Sequence, residues 1–120
     1  MDDETRAELI GAYFDAVDEE VYDPFDRIFN EESRHIRPGQ PDLVGAAEIK
    51  SFFETERRSS DSTHTVLRSM HADDDVTLCK IHVEGTLPDG PYEGEGVCEF
   101  AFDPDTETIA RYRVYRGYDR

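Results

Sequence analysis

The chain carries 29 Asp plus Glu against 13 Lys plus Arg over 120 residues, giving a formal net charge of −16 with 37% hydrophobic residues. That length fits one domain over 1–120 with one core. The charge opposes partners that need a cationic face, namely nucleic-acid phosphates and anionic membrane surfaces.

Met1-Asp2-Asp3-Glu4 lacks the basic-then-apolar order of a secretory signal. No apolar run reaches the roughly 18 residues of a membrane-spanning helix, so the expected location is cytoplasmic. Periodic apolar segments argue against acidic disorder. Self-repulsion at this charge weakens a fold in dilute buffer and is screened in molar salt. The expectation is a halophile-type acidic protein whose melting temperature climbs from dilute to molar salt; a fall over that range would contradict it.

Leu9, Ile10, Tyr13, Phe14 and Val17 recur at helical spacing, and Asp2, Asp3 and Glu4 sit where the helix dipole favours negative charge, so 2–20 is expected as a helix. Asp23-Pro24 has the form of an N-cap with proline at the first helical position. A short helix follows, carrying Phe25, Ile28 and Phe29 inward. Ser33 to Arg37 is expected as a short strand stopped by Pro38-Gly39 and a loop. A third helix runs from Gly45 to Arg57 with Ile49, Phe52 and Phe53 on its buried side.

Arg57 to Ser62 is polar and expected as a loop. Thr63 to Met70, Val76 to Leu87, Tyr92 to Phe102 and Ile109 to Tyr115 are expected strands. Pro88-Asp89-Gly90 and Asp103-Pro104-Asp105 supply turn chemistry between the later ones. Helices first and a meander after them give an α+β class. A long antiparallel sheet curled around three helices of the N-terminal half makes a cone and encloses a pocket.

Cys79 and Cys98 are too few for a disulfide scaffold and are read as small buried apolar residues kept reduced. His64, His71 and His82 show no His-x-His or His-Glu-x-x-His spacing, so no metal is expected. No cofactor is expected, because the glycines of 85–96 precede no helix and form no phosphate loop.

Ala12-Tyr13-Phe14, the strand ending Arg37-Pro38, Leu43-Val44-Gly45 leading to Ile49 and Phe52-Phe53, Gly85-Thr86 with Asp89-Gly90, and Phe100-Ala101-Phe102-Asp103 with Ile109-Ala110 follow one another in a telling order. In that order the chain resembles the SnoaL-like branch of the nuclear transport factor 2-like superfamily over nearly its whole length. The resemblance implies a cystatin-like α+β barrel, a small-molecule ligand inside the cone and a homodimer. The superfamily includes isomerases, cyclases and dehydratases beside non-catalytic binding domains, so fold does not decide function.

Compared with the ketosteroid isomerases, Tyr13 falls at the oxyanion-binding tyrosine and Cys98 near the second oxyanion-hole acid. Arg37 falls at the catalytic-base aspartate; it stays cationic, so it cannot abstract a proton. Strand parity turns His35 and Arg37 inward together with Cys98, Phe100 and Phe102, and with Ala110, Tyr112, Val114 and Arg116.

Two readings follow. In one, Arg37 and Tyr13 polarise the oxygen of a carbonyl-bearing substrate and His35 moves a proton, beside a pocket wall of Phe14, Cys98, Phe100, Tyr112 and Val114. In the other, the same rings pack the cone into a non-catalytic binding or dimerisation module. Arg37 then pairs with an acid or is simply exposed at the strand end, and His35 and Tyr13 are satisfied interior groups.

Overall fold

The computed structural model describes residues 1–116, with the side chain of Arg116, expected inward, outside the described residues. Helix α1 spans Asp3–Glu19 and is capped by Asp2, whose carboxylate accepts from the Thr5 N–H at 2.8 Å. Ile10, Tyr13, Phe14 and Val17 are its buried stripe. Helix α2, Phe25–Ile28, is capped at Pro24 without a side-chain bond. Asp23 is therefore not the cap that the sequence suggests; its carboxylate pairs with Lys50 at 3.2 Å.

Phe29 leaves the helix at once and opens strand β1, Phe29–Ile36, earlier than the expected Ser33. Strand β2, Leu43–Val44, is a short element that the sequence did not mark, and helix α3 is Ala46–Thr55. Strands β3 (Ser60–Asp73), β4 (Val76–Leu87), β5 (Gly90–Asp103) and β6 (Thr108–Arg116) form the meander. Much of the expected polar loop before Thr63 is thus the start of β3, with Ser60 paired to Thr86 ahead of a register shift.

The strands form one six-stranded sheet in the order β2-β1-β6-β5-β4-β3. The expected antiparallel sheet is corrected at one ladder: β1 runs parallel to β6. A parallel pair needs a long crossover, and here everything from β2 to β5 intervenes. With β2 and β3 at its two edges the sheet curves as a cone but stays open.

Alternation sets which face is packed. Thr77, Cys79, Ile81 and Val83 are buried on β4 between the more exposed Leu78, Lys80 and His82. Cys98, Phe100 and Phe102 face inward as expected. On β6 the phase breaks: Arg111 pairs with Ala101 and Ile109 with Phe102, leaving Ala110 as an extra residue. Ile109 is fully buried in the place expected for Ala110.

The core is aromatic. The Tyr13 ring sits among Phe14, Phe25, Phe29, Phe53, Phe100 and Tyr112, with centroids 4.8 to 6.4 Å away. Cys79 and Cys98 are direct partners in the β4–β5 ladder and are both free thiols. Burial pushes the Cys98 thiol up to about 12 and raises Cys79 as well, away from reactive thiolate character. No described helix is long and apolar enough to cross a membrane.

Gly45 joins β2 to α3 at φ +90, and its N–H donates to Ser33 O at 2.7 Å. A Cβ there would stand 2.9 Å from the Glu31 carbonyl oxygen, at a backbone conformation that L side chains rarely adopt. Gly45→Ala is expected to cost about 1–3 kcal/mol. A urea midpoint equal to the parent's would contradict the strained contact.

Candidate functional site

Helix α1 and strand β1 bring two of the singled-out residues together. The Tyr13 hydroxyl and His35 Nε2 lie 2.8 Å apart, each residue only 3% exposed. His35 Nδ1 is buried with no partner among the described residues. Burial foremost, and then the positive charge of Arg37, pull the imidazole pKa down to about 3. The ring is therefore neutral at ordinary pH. Burial also drives the phenols of Tyr13 and Tyr112 above the usual tyrosine range. Tyr112 continues the polar thread, its hydroxyl 3.1 Å from Cys98 Sγ.

This thread is walled in by rings. Phe100 packs against Tyr112 at 5.1 Å and against Phe14 at 5.7 Å. Phe14, Phe100 and Tyr112 thus pack against one another around the thread inside the cone.

Open space lies instead at the cone mouth. A cleft of about 480 Å³ is bounded by Arg37, Phe52, Arg57, Arg58, Leu87 and Val114, among others. An adjoining cleft of about 330 Å³ shares Arg37, Pro38 and Val114 and adds Arg113. Tyr13, His35, Cys98, Phe100, Tyr112 and Phe14 line neither cleft.

Arg37 is held for contact. Its Nη2 donates to the Pro41 carbonyl at 2.9 Å, and its guanidinium carbon lies 4.3 Å from the Phe52 ring centroid. Its Nε is buried without an acceptor, as is the Nε of Arg113. Arg57 is tethered through Val17 O and Ser62 Oγ, so it contributes its charge to the cleft more than free donors. Glu56 is the carboxylate among the lining residues of the larger cleft. Among the described residues none of Arg37, Arg57, Arg58 and Arg113 forms an ion pair, although acids outnumber bases more than twofold.

The singled-out residues therefore divide. Tyr13 and His35 meet in the core, with Phe14, Cys98, Phe100 and Tyr112 packed around them. Arg37 and Val114 stand at the rim. Phe52, Arg57, Arg58 and Leu87 were not marked by sequence as site residues. The Arg57-Arg58 doublet in so acidic a chain was the available signal. The remaining histidines each face a carboxylate: His64 meets Asp18 at 2.6 Å, His71 meets Asp3 at 3.0 Å and His82 meets Glu93 at 2.8 Å.

Comparison with known proteins places this geometry. An NTF2-like protein from Anabaena variabilis superposes with a TM-score of 0.81 at 17% identity, covering 97% of this chain and 89% of that one. RV0760c from Mycobacterium tuberculosis, solved in complex with estradiol-17beta-hemisuccinate, gives a TM-score of 0.79 at 14% identity, covering 96% and 95%. SalBIII, an epoxide hydrolase/cyclase-like enzyme of pyran ring formation in salinomycin, gives 0.80 at 21% identity, covering 97% and 93%. At these identities the likeness is one of fold. No curated protein matches the chain. The family model described as the SnoaL-like domain matches residues 10–116, and the chain belongs to that family.

Proposed function

We propose that this protein binds a small organic anion, an apolar body bearing a carboxylate or a similarly charged oxygen, in the arginine-lined cleft at the cone mouth. One observation carries the reading: four arginines that form no ion pair among the described residues converge on adjoining clefts in a chain of net charge −16. Clefts in which one sign of charge predominates concentrate ligands of the other sign, and in the larger cleft Arg37, Arg57 and Arg58 outnumber Glu56. The larger cleft exceeds the roughly 300 Å³ at which ligand pockets begin. Phe52, Leu87 and Val114 offer the apolar body a floor, while Arg37, shared by both clefts, offers the anion its guanidinium charge. RV0760c, of the same fold, is solved with a steroid hemisuccinate, an apolar frame ending in a carboxylate.

Binding without chemistry is the first reading. A histidine with a pKa near 3 is a poor base at neutral pH, and its ring lines neither cleft. Acid–base chemistry on a carbonyl substrate is the second, favoured by the Tyr13–His35 contact and the orphaned Nδ1. The test is a thermal-shift screen in molar salt of steroid and enone carboxylates beside their methyl esters. A carboxylate that raises the melting temperature where its ester does not supports the site. Equal responses to acid and ester, or none, would remove it. Turnover of a bound ketone, abolished in His35→Gln, would promote the second reading.

A further inference from the structure

We propose that His82, Glu84 and Glu93 form a binding site for one divalent transition-metal ion of the zinc class, apart from the arginine cleft. The three residues come from two neighbouring strands. His82 and Glu84 are two apart on β4 and so share a face, the face opposite the buried Ile81 and Val83. Glu93 on β5 is the direct ladder partner of Glu84. Their ligand atoms all lie within 4.8 Å of one another, and His82 Nε2 already stands 2.8 Å from Glu93 Oε2. Ligands held at about 2.1 Å from one ion lie within about 4.2 Å of each other, so small side-chain rotations close the set.

Electrostatics calls for a cation here. Two glutamates directly opposed across a ladder repel, and in this chain the repulsion adds to a net charge of −16. Among the described residues no lysine or arginine pairs with either of them; Lys80, on the same strand, is drawn to Glu95 at 3.5 Å. Histidine alone can offset at most one of the two charges. The donor set selects the ion. An imidazole nitrogen beside carboxylates suits zinc-class ions, whereas magnesium and calcium favour shells of oxygen alone.

The site is also accessible. Glu84 and Glu93 line a concavity of about 470 Å³, where Asp61 adds another carboxylate to the rim. Water completes the coordination from this side.

The test is calorimetric titration of zinc chloride into the full chain, stripped with chelator and held in molar potassium chloride to screen diffuse adsorption onto the acidic surface. The expected result is one saturable zinc per chain, weakened at least tenfold in both His82→Ala and Glu84→Gln. His71→Ala and Glu8→Gln, which alter a different histidine and a distant acid, are expected to bind zinc as the parent does. No saturable zinc binding by the parent would overturn the site. So would binding that survives both substitutions, or binding lost in His71→Ala. The altered side chains lie on the surface, and melting curves of the four variants verify that each is folded.

Discussion

Acidifying the protein from about pH 6.5 to about pH 4.5 is expected to remove folding stability through one side chain, His35, at about 1.4 kcal/mol for each pH unit. The cause is the depth of the Tyr13–His35 contact. In the unfolded chain the imidazole takes its proton as pH falls through 6.5; in the fold, burial and the Arg37 charge delay this to about 3. Between those values the unfolded state binds the extra proton, so stability is full above pH 6.5 and drains as pH falls toward 3. His64 adds in the same direction, since burial lowers its pKa too, against the opposing pull of Asp18. A domain of this kind holds only about 5–15 kcal/mol in total, so the loss is large.

Protonation of surface carboxylates relieves self-repulsion and works the other way, so the informative quantity is a difference. His35→Gln keeps a polar group near the Tyr13 hydroxyl but does not titrate. Urea unfolding of both proteins in constant molar salt is expected to show the parent losing ground to the variant at about 1.4 kcal/mol per unit. Parallel pH curves would mean that His35 is not held neutral by the fold.

Arg37→Ala is expected to weaken an anionic ligand by about one to two orders of magnitude. A hydrogen bond to a charged group contributes about 1.5–3 kcal/mol, and Arg37 is the arginine that lines both clefts, with Nη2 on Pro41 O and its guanidinium carbon over the Phe52 ring. Arg37→Lys keeps the charge but loses the fork, and is expected to recover only part of the affinity. The effect on the fold is small, because Arg37 makes no ion pair among the described residues and its one described hydrogen bond is local. Unchanged affinity in Arg37→Ala, measured by calorimetry, would shift the anion to Arg57, Arg58 or Arg113 or away from the cleft.

Much of the architecture was legible because local signals agreed with it. The first helix announces itself through Ile10, Tyr13, Phe14 and Val17 and its acidic start. The β4–β5 hairpin does so through Pro88-Asp89 between the paired Leu87 and Gly90. What stayed hidden depends on partners remote in sequence. Phe29 reads as a helical residue until Ile109 is seen opposite it in a parallel ladder. The bulge at Ala110 inverts parity with no glycine or proline to mark it. The polar stretch of β3 is largely exposed, so it carries no alternation to read.

The site divides along the same line. Tyr13 and His35 could be brought together by helix phase, strand parity and family resemblance. That their surroundings are packed depends on Phe25, Phe29 and Phe53 filling one volume from α2, β1 and α3, which no local pattern encodes. The cleft draws Phe52 from α3, Leu87 from β4 and Val114 from β6, so its composition emerges only from the register of the finished sheet. Likewise, His82 and Glu84 carry no ligand spacing by themselves; Glu93 joins them only across the ladder.

The most direct measurement is methyl chemical-shift mapping with a carboxylate ligand from the screen. The account predicts the largest shifts at the methyls of Leu87 and Val114, with ring shifts at Phe52 and little change at Ile81 or Val83 inside the cone. Shifts centred on Leu78 and Val97, on the opposite face of the sheet, would contradict a ligand site at the arginine-lined mouth.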